Sequence, residues 1–453
     1  MPFRKLPMNR SRPALHPSML SLLLALGAGF CGVAQAQSLV ELFNAAKDYD
    51  ATYQSARSQA VATLAKGEQA RAGILPNVGL GAGVNQSSQD SSLSSLSGKS
   101  YGSQSATISA TQPLYRPGNW ASAEQGKKAA DTAQFQLLAA EQDLLVRTSQ
   151  AYFDVLAATD SLTFVRSQKA AVAEQLASAK RNFEVGTSTI VDTRDAQARY
   201  DLTVAQELAA DNDLRVKSLA LDQLVGKSDT LPKPLQTPVV LSDVQPADVN
   251  QWVQQSEALN PVIKQTEIAL EVAKLETQKA EAGHKPTVDL NGSYNVANNN
   301  GSSTLSGNYT TNVASVGLSF NLPLFAGYSI QNRVKETLAL EDKARSDLDA
   351  AKRSVAQATR TAYFGLQSGL SQVKAYEAAE ASTQSALDAN KLGYQVGVKI
   401  NIDVLNAQSQ LFDTKAKLAR ARYDVLLGGL KLRQATGELK DEDLQPINAQ
   451  LVP

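Results

Sequence analysis

The second half of this 453-residue chain restates the first, which limits it to folds built from two copies of one unit. Ala151-Tyr152-Phe153 returns as Ala362-Tyr363-Phe364, and Phe183-Glu184-Val185-Gly186 as Tyr394-Gln395-Val396-Gly397. Val191-Asp192 returns as Ile402-Asp403, and Asp195-Ala196-Gln197 as Asn406-Ala407-Gln408, all at one spacing of 211 residues. Upstream the spacing is 210: Pro76-Asn77-Val78-Gly79-Leu80 pairs with Pro286-Thr287-Val288-Asp289-Leu290, and Gln112-Pro113-Leu114-Tyr115 with Leu322-Pro323-Leu324-Phe325. A period this long is a duplicated half-protein, not a short solenoid unit.

Each copy opens with a helical stretch, Ser38 to Ala72 and Val249 to Ala282, rich in Ala, Gln, Glu and Lys with apolar residues at helical spacing. Asn260-Pro261 reads as an N-cap followed by proline at the first helical position, with Asp50-Ala51 as its counterpart, so both stretches break early. The period then changes. Val78, Leu80, Ala82 and Val84 alternate with Asn77, Gly79, Gly81, Gly83 and Asn85, which predicts a strand with one apolar and one small or polar face. The pattern recurs around Ala106–Ala110, Val288–Val296 and Val316–Leu322, giving four strands of about ten residues in two pairs, 77–112 and 287–322. The segments Gln86–Ser105 and Ala297–Asn312, dominated by Ser, Asn, Gly and Thr, read as solvent-exposed loops. Pro76, Pro113, Pro286 and Pro323 mark the junctions between helix and strand, where a missing backbone donor is tolerated.

After each strand pair comes a very long helical stretch, about Asn119–Val185 and Gln331–Val396. In the first, Leu137, Leu144, Ala151, Ala158, Val165, Val172 and Ala179 recur every seven residues, with Val155, Leu162, Leu176 and Phe183 four residues on. That is coiled-coil spacing, and the alanines permit close helix approach. The second copy is less regular, which predicts looser packing or a face left for a partner. Gly186 and Gly397 stop the long helices in the manner of a glycine C-cap. The chain then returns as shorter helices, Asp192–Val225 and Asp403–Thr436, closed by Gly226 and Gly437. A helix of some 65 residues spans on the order of 100 Å, so each half is expected to place one long helix beside two shorter ones stacked end to end. The proline-bearing stretch 227–248 links the halves and is expected to wrap the helical body.

Arg4, Lys5, Arg10 and Arg12 precede an apolar run from Met19 to Phe30 and then Ala34-Gln35-Ala36, the pattern of a cleaved secretory leader over residues 1–36. The run is too short to span a bilayer, which takes roughly 20 apolar residues. The single cysteine, Cys31, lies in the leader, so the mature chain is expected to hold no disulfide, thiol catalyst or cysteine metal site; acylation at Cys31 is the rival reading, disfavoured by bulky Phe30 before it. Without the leader, 40 basic residues face 44 acidic ones, and no basic footprint for nucleic acid is present.

Four amphipathic strands cannot cross a bilayer as an open sheet, because unpaired edges would lie in hydrocarbon. Membrane barrels need at least about eight strands, so several chains must contribute. Two chains would supply eight strands and three would supply twelve. Eight strands make a barrel filled by its own side chains, and the Gly, Ser, Asn and Thr of the inward face suit the open lumen of twelve.

On these features the chain resembles the TolC family of outer-membrane channel-tunnel proteins over nearly its whole mature length. The resemblance rests on both halves, the four strands, the glycine turns and the repeated aromatic-x-Val-Gly…Asp segments. It implies an α+β membrane protein: a homotrimer with a 12-stranded transmembrane β-barrel in the outer membrane, continued by a long α-helical coiled-coil barrel across the periplasm. The units are residues 37–248, residues 249–440 and a C-terminal tail, 441–453. The implied partners are a periplasmic adaptor, an inner-membrane transporter and outer-membrane lipid, with no cofactor. The implied function is the exit duct for secreted proteins or drugs.

The resemblance places the periplasmic mouth where the long helices turn, narrowed by rings of tyrosine, basic residues and aspartate. The matching positions are Tyr394, Lys399, Asp403 and Asn406, with Asp192 and Asp195 in the first half. Asn406 departs from the family's second aspartate, and Lys399 stands where arginine is common. Asp195, three residues from Asp192, shares its helix face and could compensate if that face meets the lumen. Asp192 and Asp403 could equally serve only to begin their helices, where the helix dipole favours negative charge. The segments Phe183–Val191 and Tyr394–Ile402, turning at Gly186 and Gly397, are expected to contact the adaptor.

Enzyme readings find little support. The mature chain has one histidine, His284, too few for a histidine metal cluster. Gly226-Lys227-Ser228 ends like a phosphate loop, but Leu221 occupies the first required glycine position. The competing non-enzyme reading is a pore-free periplasmic adaptor or scaffold with long hairpins, which would not carry two symmetric halves each with a strand pair.

Overall fold

The structure, a computed structural model, describes residues 36–92, 97–302 and 304–452. Apart from Ala36, the expected leader and Cys31 lie outside the described residues. The first half runs α1 (Leu39–Tyr49), α2 (Ala51–Ala72), β1 (Asn77–Gln89), β2 (Lys99–Tyr115), α3 (Pro117–Glu184) and α4 (Ile190–Val225). The second repeats it as α5 (Val249–Leu259), α6 (Pro261–Glu281), β3 (Thr287–Asn300), β4 (Asn308–Asn321), α7 (Ser329–Gln395) and α8 (Asn401–Thr436), with a short α9 (Gln445–Asn448) near the end.

Local chemistry sets the helix starts. Ser38 and Glu41 form a reciprocal capping box at α1. The Asp50 carboxylate accepts from Tyr53 N at 2.8 Å to begin α2, and Asn260 Oδ1 accepts from Val262 N at 2.9 Å to begin α6, with Pro261 at its first position.

The four strands form one antiparallel sheet in the order β1-β2-β3-β4. Pro76 and Pro286 sit just before β1 and β3 as expected, but Pro113 lies inside β2, at a register irregularity between Pro113 and Tyr115. There β1 has already ended its pairing, at Thr111, so a missing donor on that edge costs nothing. The hairpins are also longer than the sequence suggests. Gln86–Gln89 pair with Lys99–Gly102, and Ala297–Asn300 with Asn308–Thr311, where loops are expected. The apolar alternation ends before the backbone ladder does, because pairing needs only peptide groups, and Ser, Asn and Gln there also bond across strands, as in Gln86 Nε2 to Ser100 Oγ at 2.8 Å.

One sheet face presents Leu80, Val84, Val316 and Leu318, each at least 69% exposed in the single chain, so an extensive apolar surface is unpartnered. The other face carries a hydroxyl and amide ladder, including Thr107 with Asn295, Thr111 with Asn291 and Ser293 with Ser315. At the base of the sheet Arg116 forks onto Asp289 at 2.7 and 2.6 Å, tying the first half to the second. No helix among the described residues is long and apolar enough to cross a membrane.

The helices form a wall in the same order as the strands. α2 and α4 flank α3 on one side, α6 and α8 flank it on the other, and α7 packs beyond α6 and α8. The short helices meet end to end. Gly226, at φ 69°, closes α4 against the Tyr49 ring, and Gly437, at φ 83°, closes α8 against the backbone of Leu259 and Asn260. A Cβ at either glycine would collide there, so both the left-handed turn and the close approach demand glycine.

α3 buries 18 residues and α7 only eight, so the less regular second copy is the one left open along its length. On α3 the heptad seam is buried or half-buried from Leu137 through Ala179, but Phe183 is exposed because the seam's partners end before the turn. The main core lies at mid-height and joins Leu42 and Phe43 of α1, Tyr152 and Phe153 of α3, Leu221 of α4 and Leu427 of α8 to Leu444, Ile447 and Leu451 of the C-terminal segment. The linker 227–248 is strapped to this level: Lys233 N donates to Gln37 O at 3.0 Å and Val452 N to Pro234 O at 2.9 Å.

Candidate functional site at the two helix turns

The two turns share a backbone and differ in side chains. Gly186 and Gly397 adopt φ 77° and 79°, and a Cβ on either would meet nothing, so the left-handed conformation alone selects glycine. Each closes its helix through the same bonds: Thr187 and Ser188 N–H donate to Asn182 O, and Val398 and Lys399 N–H donate to Gly393 O.

The next helix starts differently in each copy. In the first, Thr189 Oγ1 accepts from Asp192 N at 3.3 Å, while Asp192 Oδ2 accepts from Thr189 N at 3.0 Å, Thr189 Oγ1 at 2.8 Å and Ser188 Oγ at 2.8 Å. Partial burial pulls the Asp192 carboxyl up, but these three donors outweigh it and hold the pKa below the ordinary aspartate value. In the second, Ile400 occupies the cap position with no side-chain bond, and Asp403 instead faces Lys399 Nζ at 3.6 Å. Asp192 is therefore consumed by capping, while Asp403 holds an exposed, loose ion pair that leaves its charge available.

Asn401, the first residue of α8, is buried with neither amide atom hydrogen-bonded among the described residues. Such a group costs about 1–3 kcal/mol, so the second turn is the weaker one.

The remaining expected residues are scattered between neighbouring helices. Asp195 is exposed, without a hydrogen bond or ion pair among the described residues. Asn406 Oδ1 accepts from Arg199 Nη2 at 2.6 Å, joining α8 to α4. Tyr394 Oη accepts from Asn182 Nδ2 at 3.1 Å, joining the end of α7 to the end of α3, while its ring packs beside Leu387, Val404 and Leu411. Asn182, Arg199 and Asn401 escaped the sequence reading. Each sits where the copies diverge, opposite Gly393, Gln410 and Ile190, and that divergence was the available signal.

Between α4 and α8, with α3 as its floor, runs an open groove of about 800 Å³ bordered by Gln168, Arg199, Gln206, Ser409 and Asp413. Beyond it both tips expose apolar side chains: Val185 and Val191 on the first, Val396, Val398 and Ile400 on the second. No group of three or more His, Cys, Asp or Glu among the described residues could hold a metal ion. The arrangement is that of a wall whose tips expose apolar side chains beside a polar groove.

The chain matches the family described as outer membrane efflux protein over residues 42–227 and 252–438, one stretch in each half. It is 34% identical over 421 residues to the outer membrane protein TolC of Vibrio cholerae, covering 92% of this chain and 94% of that one. It is 28% identical over 424 residues to the alkaline protease secretion protein AprF of Pseudomonas aeruginosa, covering 92% and 88%. Among solved structures, the CmeC outer membrane channel of Campylobacter jejuni superposes with a TM-score of 0.77 at 15% identity, covering 99% of this chain and 98% of that one. A membrane protein from Pseudomonas aeruginosa gives 0.79 at 20%, covering 90% and 92%. None of these supports a pore-free adaptor.

Proposed function

Because the chain belongs to the outer membrane efflux protein family, we propose that three copies close into the exit duct of a tripartite export system. The protein itself is an outer-membrane channel-tunnel with a periplasmic helical part, in a family of transport channels. The observation that carries closure by several copies is the pair of free edges, and the small polar side chains of the inner face favour three. β1 and β4 end the sheet unpaired, in a chain whose helices repeat the strand order, so the β1 side of one copy fits the β4 side of the next. Twelve strands then enclose the hydroxyl and amide ladder as a wet lumen and turn Val78, Leu80 and Val316 to lipid.

At the periplasmic end, Asp403 supplies the fixed negative ring, set off by Lys399 and by Tyr394 bridged to Asn182; Asn406, held by Arg199, supplies a neutral one. The exposed tips around Gly186 and Gly397 and the groove beside them receive the adaptor, which links the duct to an inner-membrane transporter. The family is one of efflux proteins and a relative is an alkaline protease secretion protein, so both small compounds and proteins are suitable cargo.

Detergent extraction of outer-membrane fractions followed by cross-linking tests the assembly. A three-chain species that conducts in planar bilayers is expected; a monomer, or a two-chain particle, would defeat it.

A further inference from the structure

The two ends of the membrane-facing sheet surface differ chemically. Rows of partnered residues on that face run Val288–Phe320, then Gln112–Leu290–Leu318, Val78–Ala110–Gly292–Val316, Leu80–Ile108–Tyr294–Ala314 and Ala82–Ala106–Val296–Asn312. From Val288 to Val296 this band follows β3 for about 27 Å, or roughly 20 Å of height at the usual barrel tilt, close to a hydrocarbon layer.

At its helical end lies an aromatic collar, Trp120 edge-on to Tyr115 and Phe325 edge-on to Tyr328, both at 5.5 Å. Amphipathic rings of this kind settle at phospholipid headgroups. At the hairpin end the same face continues as Val84–Gln104–Asn298–Thr310 and Gln86–Gly102–Asn300–Asn308, with no aromatic and no charged residue. These rows lie about 7 and 14 Å further along the strands. They frame a depression of about 570 Å³, and the amides of Gln104, Asn300 and Asn308 have no side-chain partner among the described residues.

We propose that this amide belt is a docking surface for the neutral sugar hydroxyls of an outer-leaflet glycolipid. The argument rests on the barrel reading above, which turns this face outward and repeats the belt around the circumference. An amide offers donors and an acceptor together, the pattern a sugar hydroxyl returns, whereas a phosphate would call for Arg or Lys. Lys99 pairs with Gln89 on the opposite face, away from the belt. Continuity with the apolar band places the belt at the height of the first sugars, and the aromatic collar at the other end marks the phospholipid leaflet.

The test is native mass spectrometry of detergent-purified wild-type protein, incubated with a core-bearing bacterial glycolipid stripped of its phosphates or with phosphatidylglycerol. The wild type is expected to retain the dephosphorylated glycolipid at least fivefold over phosphatidylglycerol. Asn298→Val/Asn300→Val/Asn308→Val should lose at least fivefold of that preference with unchanged channel conductance, and Gln104→Val alone at least twofold. Soluble core oligosaccharide should compete for the belt; retention by the variants equal to wild type, loss of wild-type retention on dephosphorylation, or no competition by the oligosaccharide would overturn the proposal. Failure of the barrel reading is separately visible in the same spectra as the absence of a three-chain species.

Discussion

Tyr152 and Tyr363 occupy the same position in the two copies, and each donates its phenol to one shared linker: Tyr152 to Lys233 O at 2.7 Å, Tyr363 to Ala247 O. Burial pushes the Tyr152 phenol up, so it remains a donor throughout the physiological range. The duplicated motif thus acts at two places on a segment that is itself not duplicated.

Tyr152→Phe and Tyr363→Phe should each leave a linker carbonyl without its donor, at a cost of about 1–2 kcal/mol. The loss is local, so it should appear as roughly tenfold faster proteinase K cleavage within 227–248, with little change at the helix turns. Cleavage indistinguishable from wild type would show that the linker is held by its backbone bonds alone.

The helix starts at the two turns should respond oppositely to substitution. Thr189→Ala removes a capping box and should cost about 1 kcal/mol at the first turn of α4, whereas Ile400→Thr supplies the missing cap and should stabilise α8 by a similar amount. Hydrogen exchange of residues 190–194 and 401–405 reads both. The Asp192 carboxylate, held low, contributes stability above the ordinary aspartate value of 3.8 and loses it as pH falls through its depressed value, so exchange at 190–194 should accelerate only in acid.

Asp160 behaves in the reverse sense. Burial raises its pKa, and the 2.6 Å bond from Tyr423 Oη offsets this only in part. Its contribution is therefore fully present below 3.8 and lost as pH rises through the raised value, so the ionised form weakens the α3–α8 contact near neutrality. Asp160→Asn retains an acceptor for Tyr423 and should flatten this decline; thermal unfolding across pH 4 to about 7 that still falls as in wild type would rule Asp160 out as its source.

Asp403→Ala should reduce cation selectivity and weaken block by multivalent cations several-fold in planar bilayers, since Asp403 is the turn carboxylate not consumed by capping. Asp192→Ala should chiefly destabilise its helix and leave selectivity nearly intact. The opposite pattern would move the ring to the first turn.

Sequence patterning carried much of this fold because helix ends and apolar strand rows depend on local chemistry. Asp50, Asn260, Gly186, Gly226, Gly397 and Gly437 each act within a few residues of themselves, and Val78, Leu80 and Val316 advertise a face by alternation. The hairpin extensions at Gln86–Gln89 and Ala297–Asn300 were illegible because peptide pairing continues without any apolar rhythm. Arg199 with Asn406 and Asn182 with Tyr394 were illegible for another reason: each joins helices whose relative rotation no single helix encodes. The contrast between Asp192 and Asp403 is carried by the neighbours Ser188, Thr189, Lys399 and Ile400, whose side-chain bonds only the structure places.

Mechanically, the wall alternates whole staves with spliced ones. α3 and α7 are unbroken over 68 and 67 residues, while α4 abuts Tyr49 and α8 abuts Asn260 through a single glycine each. A push or twist applied at the turns therefore meets an unbroken path to the sheet in α3 and α7 and a single close-packed glycine contact in each neighbouring column. Continuous and interrupted columns alternate along the wall, so a load at the turns reaches the sheet unevenly.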